Sequence, residues 1–294
     1  MRIATSQMFA RPTQLMAALT QKADAIQTQI ATGTKFTAPS SDAAAFLRLD
    51  GLKRGVADDL SNAANVKLAQ GLLAQSDSTL ESIENQLQRA HELTVQAANG
   101  TLSDDNRTAI AQNLQAITDD LFALANTRDV RGQPLFGSSE GDAAYVRAGD
   151  GTISFVGTGE PSEIPINDHS SVQATITGER AFGDMFATLK SLTDALSAGG
   201  DIRAAAGEAL DGLKANLADV AAARASVGAR GARLDLESER LEAAAIAREE
   251  SRSAIEDTDI PSAVAELQKT LTVLQATQAS FTKLSGMSLF DYLR

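Results

Sequence analysis

The sequence predicts a mainly α fold: an elongated long-helix bundle whose N- and C-terminal helices pair as a coiled coil, with a small β-rich insert. Three observations carry that expectation. Apolar side chains near both ends recur every seven residues, the spacing of a narrow helix-on-helix seam. Two long proline-free stretches, 42–98 and 203–256, carry a similar phase through the middle. The helical period is lost once, in a stretch rich in Gly, Pro and Ser that begins near residue 136 and ends near 181.

The first element follows from Phe9, Pro12, Met16, Leu19, Ala23, Ile26 and Ile30, spaced three and four apart on one helix face. Pro12 is placed in the first helical turn, where its missing N–H costs nothing. "TGTKFTAPSSD" (32–42) ends this helix: Gly33 suits a left-handed cap, and Pro39 drives Ala38 to extended backbone. Ser40, Ser41 and Asp42 offer caps for the next helix. Val66, Ala69, Leu73, Leu80, Ile83, Leu87 and Ala90 form its seam. After the turn "NGTLSDDNR" (99–107), with a fresh cap at Ser103, a further helix carries Ile110, Leu114, Ile117, Leu121 and Leu124.

From "RGQPLFGSSEG" (131–141) the chain changes character. "YVRAGDGTISFVG" reads as a hairpin turning at Gly149-Asp150-Gly151, and "SVQATITGERAF" as a strand with Val172, Ala174 and Ile176 on one face. Helix resumes at about 183–196 and again from Asp201. The last long helix is seamed by Leu210, Leu213, Leu217, Val220, Leu234 and Leu241. Glycines in its "SVGARGARL" segment point to close helix packing or a local bend. "IEDTDIP" breaks it, with Pro261 disfavouring helix at Ile260. The final helix then places Ile260, Val264, Leu267, Leu271, Leu274 and Phe281 on one repeat, with Gln278 in the polar slot. The layout is nested: residues 1–41 with 258–294 as a terminal coiled-coil assembly domain, 42–135 with 182–257 as the helical body, and 136–181 as the β-rich outer domain.

Composition narrows the function. Apolar residues make up 43% of the chain but aromatic ones only 4%, with no Trp, which suits thin helical seams better than a thick core. The net charge of −12, from 38 acidic and 26 basic residues, argues against nucleic acid and against an anionic membrane surface. The absence of cysteine excludes disulfides and thiolate chemistry. The opening "MRIATSQMFARPTQLMAALT" lacks a continuous apolar stretch, so no cleaved signal peptide is expected, and no window is apolar enough to span a membrane.

No catalytic, metal-binding or cofactor-binding constellation emerges. His91 reads as a solvated helix-face residue and His169 as a turn residue. "VGTGEPS" is a loop without the strand-to-helix setting of a phosphate cradle, and "GDG" lacks a calcium loop's flanking carboxylates. Acidic pairs such as Asp104–Asp105 suit helix caps. The informative features are the terminal seams, which lie beyond helix breakers and leave Ile3, Met8, Leu15, Met287, Leu289, Phe290, Tyr292 and Leu293 in need of further partners.

Four stretches taken together carry a family resemblance: "MRIATSQMF", "IATGTKFTAPSSDAAA" (30–45), "LANTRDVRGQPLFGSSEG" (124–141) and the C-terminal "IEDTDIPSAVAELQKTLTVLQATQASFTKLSGMSLFDYLR". They resemble the hook-associated protein 3 family of the flagellin superfamily, over both ends and the helical body but not the β insert. The resemblance implies a non-enzymatic structural adaptor between flagellar hook and filament, without cofactors, exported without a cleaved signal peptide to the outside of a bacterium. It implies a ring or tube of copies, other axial proteins as partners (hook-associated protein 1 and flagellin), and an export chaperone. By that likeness the assembly interface comprises Phe9, Met16, Leu19, Ile26, Ile30, Val264, Leu267, Leu271, Leu274, Phe281, Leu289, Phe290 and Leu293.

Flagellin itself is the alternative. Its members usually open with an "INTN"-like run and end near "QNVLSLLR", whereas this chain has "RIATSQMF" and "SLFDYLR"; Pro39-Ser40 and Gly137-Ser138 also lean toward the junction family. One departure is Ser41, where that family often carries a first aspartate beside Asp42. Two readings from other classes are a surface-binding protein using the β insert, which offers only Tyr145 and Phe155 as stacking rings, and a cytoplasmic coiled-coil scaffold.

Overall fold

The computed structural model describes residues 2–36, 38–40, 42–99, 102–138 and 143–291, with side chains from residue 10 to residue 283. Among the described residues seven helices and four strands follow in the order α1 (Arg2–Thr32), α2 (Ala43–Ala97), α3 (Asp104–Ala125), β1 (Tyr145–Arg147), β2 (Ile153–Phe155), β3 (Glu163–Asn167), β4 (Ser170–Gln173), α4 (Gly178–Phe182), α5 (Met185–Ala198), α6 (Arg203–Glu256) and α7 (Ile260–Asp291). The mainly α class, the long helices, the paired terminal helices and the small β insert agree with the sequence reading. The chain forms two compact units, one of residues 1–57 and 244–294, the other of residues 58–243.

In the first unit α1 packs along α7. Between them Ala23, Ile26 and Thr270 are buried, and Met16, Leu19, Ile30, Leu267, Leu274 and Phe281 are half-buried. Thr270 tolerates this seam because its hydroxyl donates to the Glu266 carbonyl at 2.8 Å. The helix breakers are paired with each other. Lys35 N donates to Glu256 O at 2.7 Å and Thr258 N to Gly33 O at 2.8 Å, and Gly33 takes the expected left-handed conformation at φ 71°. The two connections thus deliver α1 and α7 side by side.

Two local expectations in this unit are corrected. Pro12 lies in the interior of α1, not in its first turn. Its ring removes one helical N–H, and the helix runs on through that loss. Helix α7 begins at Ile260, ahead of Pro261. Asp259 caps it, its carboxylate accepting from Ser262 N at 3.4 Å, so Pro261 falls in the first turn, where no N–H is needed. At the start of α2 the cap is Asp42, which accepts from Ala45 N at 2.9 Å; Ser41 lies outside the described residues.

The second unit holds the main core. On α2 the predicted seam residues from Val66 to Ala90 are all buried, joined by Leu72, Leu93 and Ala97. On α3 Ser103 is the N-cap, accepting from Asn106 N, and Ile110, Leu114, Ile117 and Leu121 face inward, with α5 packed alongside. The buried line of α6 includes Ala206, Ala209, Leu213, Asn216, Val220, Ala223, Val227, Leu234 and Leu241; Leu210 and Leu217 lie half-buried beside it. Arg224 crosses from α6 to α2, donating to Asp77 at 3.0 Å and Glu84 at 2.8 Å. The glycines Gly228 and Gly231 neither break α6 nor admit a close neighbour: a Cβ at either would meet nothing within 4 Å.

The predicted hairpin is β1–β2, with Tyr145 opposite Phe155 and Gly151 at φ 82° in its turn. A second hairpin, β3–β4, pairs Ile164 with Val172. Its first strand escapes sequence reading because Pro165 interrupts it. Val172, Ala174 and Ile176 are buried as expected, although the regular strand stops at Gln173. Helix does not resume in one piece near residue 183. The short α4 ends at Gly183, φ 48°, before α5 starts at Met185. Both hairpins share one apolar core with α2, α3, α5 and α6. Polar side chains of the long helices hold them: Asn65 donates to the Pro165 carbonyl at 2.9 Å, and Arg230 to the carbonyls of Gln173 and Thr175 at 2.8 and 3.0 Å.

Candidate assembly interface

The terminal helices are the functional surface the sequence singles out, and the structure divides their apolar residues in two. On α7, Ala263, Leu267, Thr270, Leu274, Thr277 and Phe281 are less exposed and spaced four and three apart, with Glu266 half-buried beside them. Three members of the predicted seam fall on a flank of that line. Ile260 is 40% exposed, Val264 37% and Leu271 41%. At about 100° per residue these three span only about 40° of the helix surface. The structure therefore brings Leu267, Leu274 and Phe281 to the line of α7 that α1 shelters, with Met16, Leu19, Ile26 and Ile30 as the inner residues of α1. It leaves Val264 and Leu271 with open apolar surface. Phe9, Leu289 and Phe290 stand on these helices but their side chains lie outside the described residues, as does Leu293 altogether.

At the other end of the pair, Arg11, Pro12, Leu15, Thr277, Ser280 and Phe281 line an open, almost wholly apolar groove of about 250 Å³. Leu15 is 52% exposed at its edge. This groove was not legible in the heptad pattern, because Leu15, Thr277 and Ser280 occupy none of its positions. Charge is sparse here. Lys22 and Glu266 form an exposed ion pair that draws the Glu266 carboxyl below its usual range through the Lys22 hydrogen bond and charge; at this exposure it adds little stability. Apolar surface with few charges around it suits helix-to-helix association between chains.

The described residues contain no group of three or more His, Asp or Glu side chains placed to hold a metal, and no helix long and apolar enough to cross a membrane. His91 is half-buried on α2. His169 stands in the β3–β4 turn, its backbone N–H donating to Asn167 Oδ1 at 2.9 Å. The motif "NTRDVRGQP" is architectural. Asn126 Oδ1 accepts from Ala144 N and Tyr145 N, both at 3.0 Å, while its amide donates to the Tyr145 and Phe122 carbonyls. The buried Asp129 carboxylate accepts from Arg131 N at 2.8 Å, Gln133 N at 3.0 Å and the Arg131 guanidinium at 2.8 Å. Burial alone would raise its pKa, but these donors hold it below the ordinary carboxylate range.

Comparison with known families agrees with this architecture of helical regions at both ends of the chain. The bacterial flagellin N-terminal helical region matches residues 3–140, and the bacterial flagellin C-terminal helical region matches residues 210–293. The chain belongs to the flagellin superfamily. The matched regions of this flagellin-type chain hold α1, α2, α3, α7 and most of α6; both hairpins, α4 and α5 fall between them. Among curated relatives, flagellar hook-associated protein 3 of Escherichia coli (strain K12) is 28% identical over 292 residues, 90% of each chain. Flagellin of Listeria innocua is 25% identical over 245 residues, 83% of this chain and 81% of its own. Among solved structures, a flagellar hook-associated protein from Vibrio parahaemolyticus shares the fold with a TM-score of 0.69 at 18% identity, over 74% of this chain and all of that one.

Proposed function

We propose that this protein is a structural adaptor of the bacterial flagellum, assembling between hook and filament as a junction layer through its terminal helices. The observation that carries this reading is the split apolar surface of the α1–α7 pair. The two helices cover each other along one line and leave Ile260, Val264, Leu271 and Leu15 for contacts with further chains. Hook-associated protein 3 relatives align over nearly their whole length, which favours the junction role over flagellin. No catalytic step is assigned.

The interface on this reading comprises Phe9, Met16, Leu19, Ile26, Ile30, Val264, Leu267, Leu271, Leu274, Phe281, Leu289, Phe290 and Leu293. Partners are further copies in a ring or tube, other axial proteins (hook-associated protein 1 and flagellin), and an export chaperone. The site of action is outside the cell, reached without a cleaved signal peptide. The domain plan, with residues 1–41 and 258–294 as the assembly domain, 42–135 and 182–257 as the helical body and 136–181 as the β-rich outer domain, belongs to the same proposal. Contacts in such a tube are heterologous, since two-fold pairs alone cannot build one.

A seeding assay tests it. Purified protein is added to sheared filaments and to hook fragments, and their ends are imaged by electron microscopy. A short segment on hook-side ends that stops and then accepts flagellin is the expected result. Unlimited growth of tubes would identify a flagellin instead, and failure of folded protein to add to either seed would overturn the adaptor reading.

A further inference from the structure

Helix α6 carries two glycines, one turn apart, that its own packing does not require. A glycine inside a helix costs stability relative to alanine, and it is usually kept where a side chain would collide. Gly212 of the same helix is of that kind: a Cβ there would come within 2.9 Å of Thr188. Gly228 and Gly231 are not, since a Cβ at either meets nothing within 4 Å. The space they leave open is the floor of a groove of about 400 Å³ between α6 and α2, walled by Leu73 and Ala74 on α2 and by Val227 on α6.

Both ends of this apolar slot are acidic. At one end Gln70 Nε2 donates to Asp235 Oδ1 at 2.8 Å, a contact that leaves the carboxylate its charge. At the other, Asp77 and Glu84 share the single guanidinium of Arg224, so one negative charge remains. Gln70 marks the level of Asp235 on α2, and Asp77 lies two turns further on, so the two ends are about 10 Å apart. Between residues 55 and 88, α2 carries five carboxylates and one lysine, Lys67. The complement of such a slot is an aliphatic side chain between two cations. On a helix, cations seven residues apart are about 10 Å from each other, and a residue three or four positions along faces the same way between them.

Within this chain only Arg233 and Arg240 have that spacing. Arg240 is already held by Glu237 of its own helix, with Glu239 and Glu242 beside it, so that stretch offers no cationic face. A net charge of −12 also sets copies of the chain against each other at an acidic groove. We propose that the Gly228–Gly231 groove is a docking site for a helix of a different, cationic protein, which lays one aliphatic side chain over the two glycines and a Lys or Arg at each acidic end. This goes beyond the adaptor reading and does not depend on it.

The test uses the full, unassembled chain, so its outcome is separate from that of the seeding assay. The probe is a stapled, alanine-rich helix of about 16 residues with Lys, Leu and Lys at positions i, i+3 and i+7, followed by fluorescence anisotropy at low salt. It is expected to bind the unsubstituted protein, and a control helix with Glu in place of both Lys is not. The double variant Gly228→Ala with Gly231→Ala is expected to melt roughly 3–6 °C higher and yet to bind about tenfold more weakly, the worth of one lost apolar contact. Glycines kept only for packing would instead lower the melting temperature when replaced. Asp235→Asn should weaken binding and flatten its salt dependence. Ala74→Lys, at an exposed position on the opposite wall, fills the groove without touching either glycine and gives the same loss should the double variant fold poorly. No binding by the folded, unsubstituted protein overturns the proposal, as does equal binding by the double-alanine and Ala74→Lys variants. Self-association in sedimentation that the double-alanine variant has lost would overturn it in favour of a second copy as the occupant.

Discussion

Thr34 and Asp257 pair as an antiparallel bridge, joining the break after α1 to the break before α7. Sequence reading takes these stretches only as helix breakers beyond which the terminal seams lie. The backbone bonds across them, at 2.7 and 2.8 Å, instead make the two connections a clasp. The Thr258→Pro change removes one of its two donors. We expect a loss of about 1 kcal/mol or more from the α1–α7 pair, seen as faster amide hydrogen exchange in both terminal helices while α2, α3 and α5 in residues 58–243 keep theirs.

Leu271 and Ile26 test the division of the seam. Leu271 is 41% exposed, so Leu271→Asp should change monomer stability by no more than about 0.5 kcal/mol and yet abolish addition to flagellar seeds. Ile26 is 7% exposed within the pair. Ile26→Ala should cost about 2 kcal/mol locally, lowering the helical circular dichroism signal of the free protein before any assembly is asked of it. A Leu271→Asp protein that still joins flagella normally would remove that flank from the interface.

Asn126 ties the end of α3 to the first residue of β1 through both its oxygen and its amide. Replacing it by Ala strands the buried N–H groups of Ala144 and Tyr145. The expected loss is about 3 kcal/mol in urea denaturation, with Asn126→Asp recovering part of it because the acceptor remains.

Asp129 makes stability depend on acid. Its folded pKa lies below the unfolded value, so the protein gains stability above about pH 4, the ordinary carboxylate value, and loses it as pH falls through the lower folded value. Thermal melts between pH 2 and 6 should show this slope, and Asp129→Asn should flatten it. At neutral pH the same change should cost about 3 kcal/mol, since the Arg131 guanidinium loses its charged partner.

The Tyr145 hydroxyl is buried without a hydrogen-bond partner, and burial pushes its pKa upward, with Glu179 adding to the shift. The ring packs edge-on against Phe155 and Phe186 and lies over Gly178, where a Cβ would come within 2.5 Å of it. Tyr145→Phe should therefore stabilise by about 1 kcal/mol. Gly178→Ala should destabilise by about 2 kcal/mol, as overpacking does. Calorimetric melts of the two variants give opposite signs on this account.

Periodicity made the helices legible. Val66 to Ala90 on α2 and Ile110 to Leu121 on α3 are buried where three-and-four spacing places them, because one helix turn sets which side chains share a face whatever packs there. The β1–β2 hairpin was legible for an equally local reason, a glycine turn between two β-prone runs. What spacing names is a face; it does not name the partner. Which part of the α7 seam α1 covers depends on how two cylinders settle together, and that left Val264 and Leu271 open while sheltering Thr270 and Thr277. Helix α1 passes through Pro12, although local rules place a proline at a helix start. The β3 strand forms around Pro165, and Asn216 is buried where a leucine seam was read, each held by contacts with residues distant in sequence. The sequence by itself determined the helices, their faces and the nested order of segments, because those follow from interactions within a few residues. The clasp at Thr34 and Asp257, the covered and uncovered halves of the terminal seam, and the groove beside Leu15 were decided only when distant segments met, because each is a relation between surfaces and exists in neither segment alone.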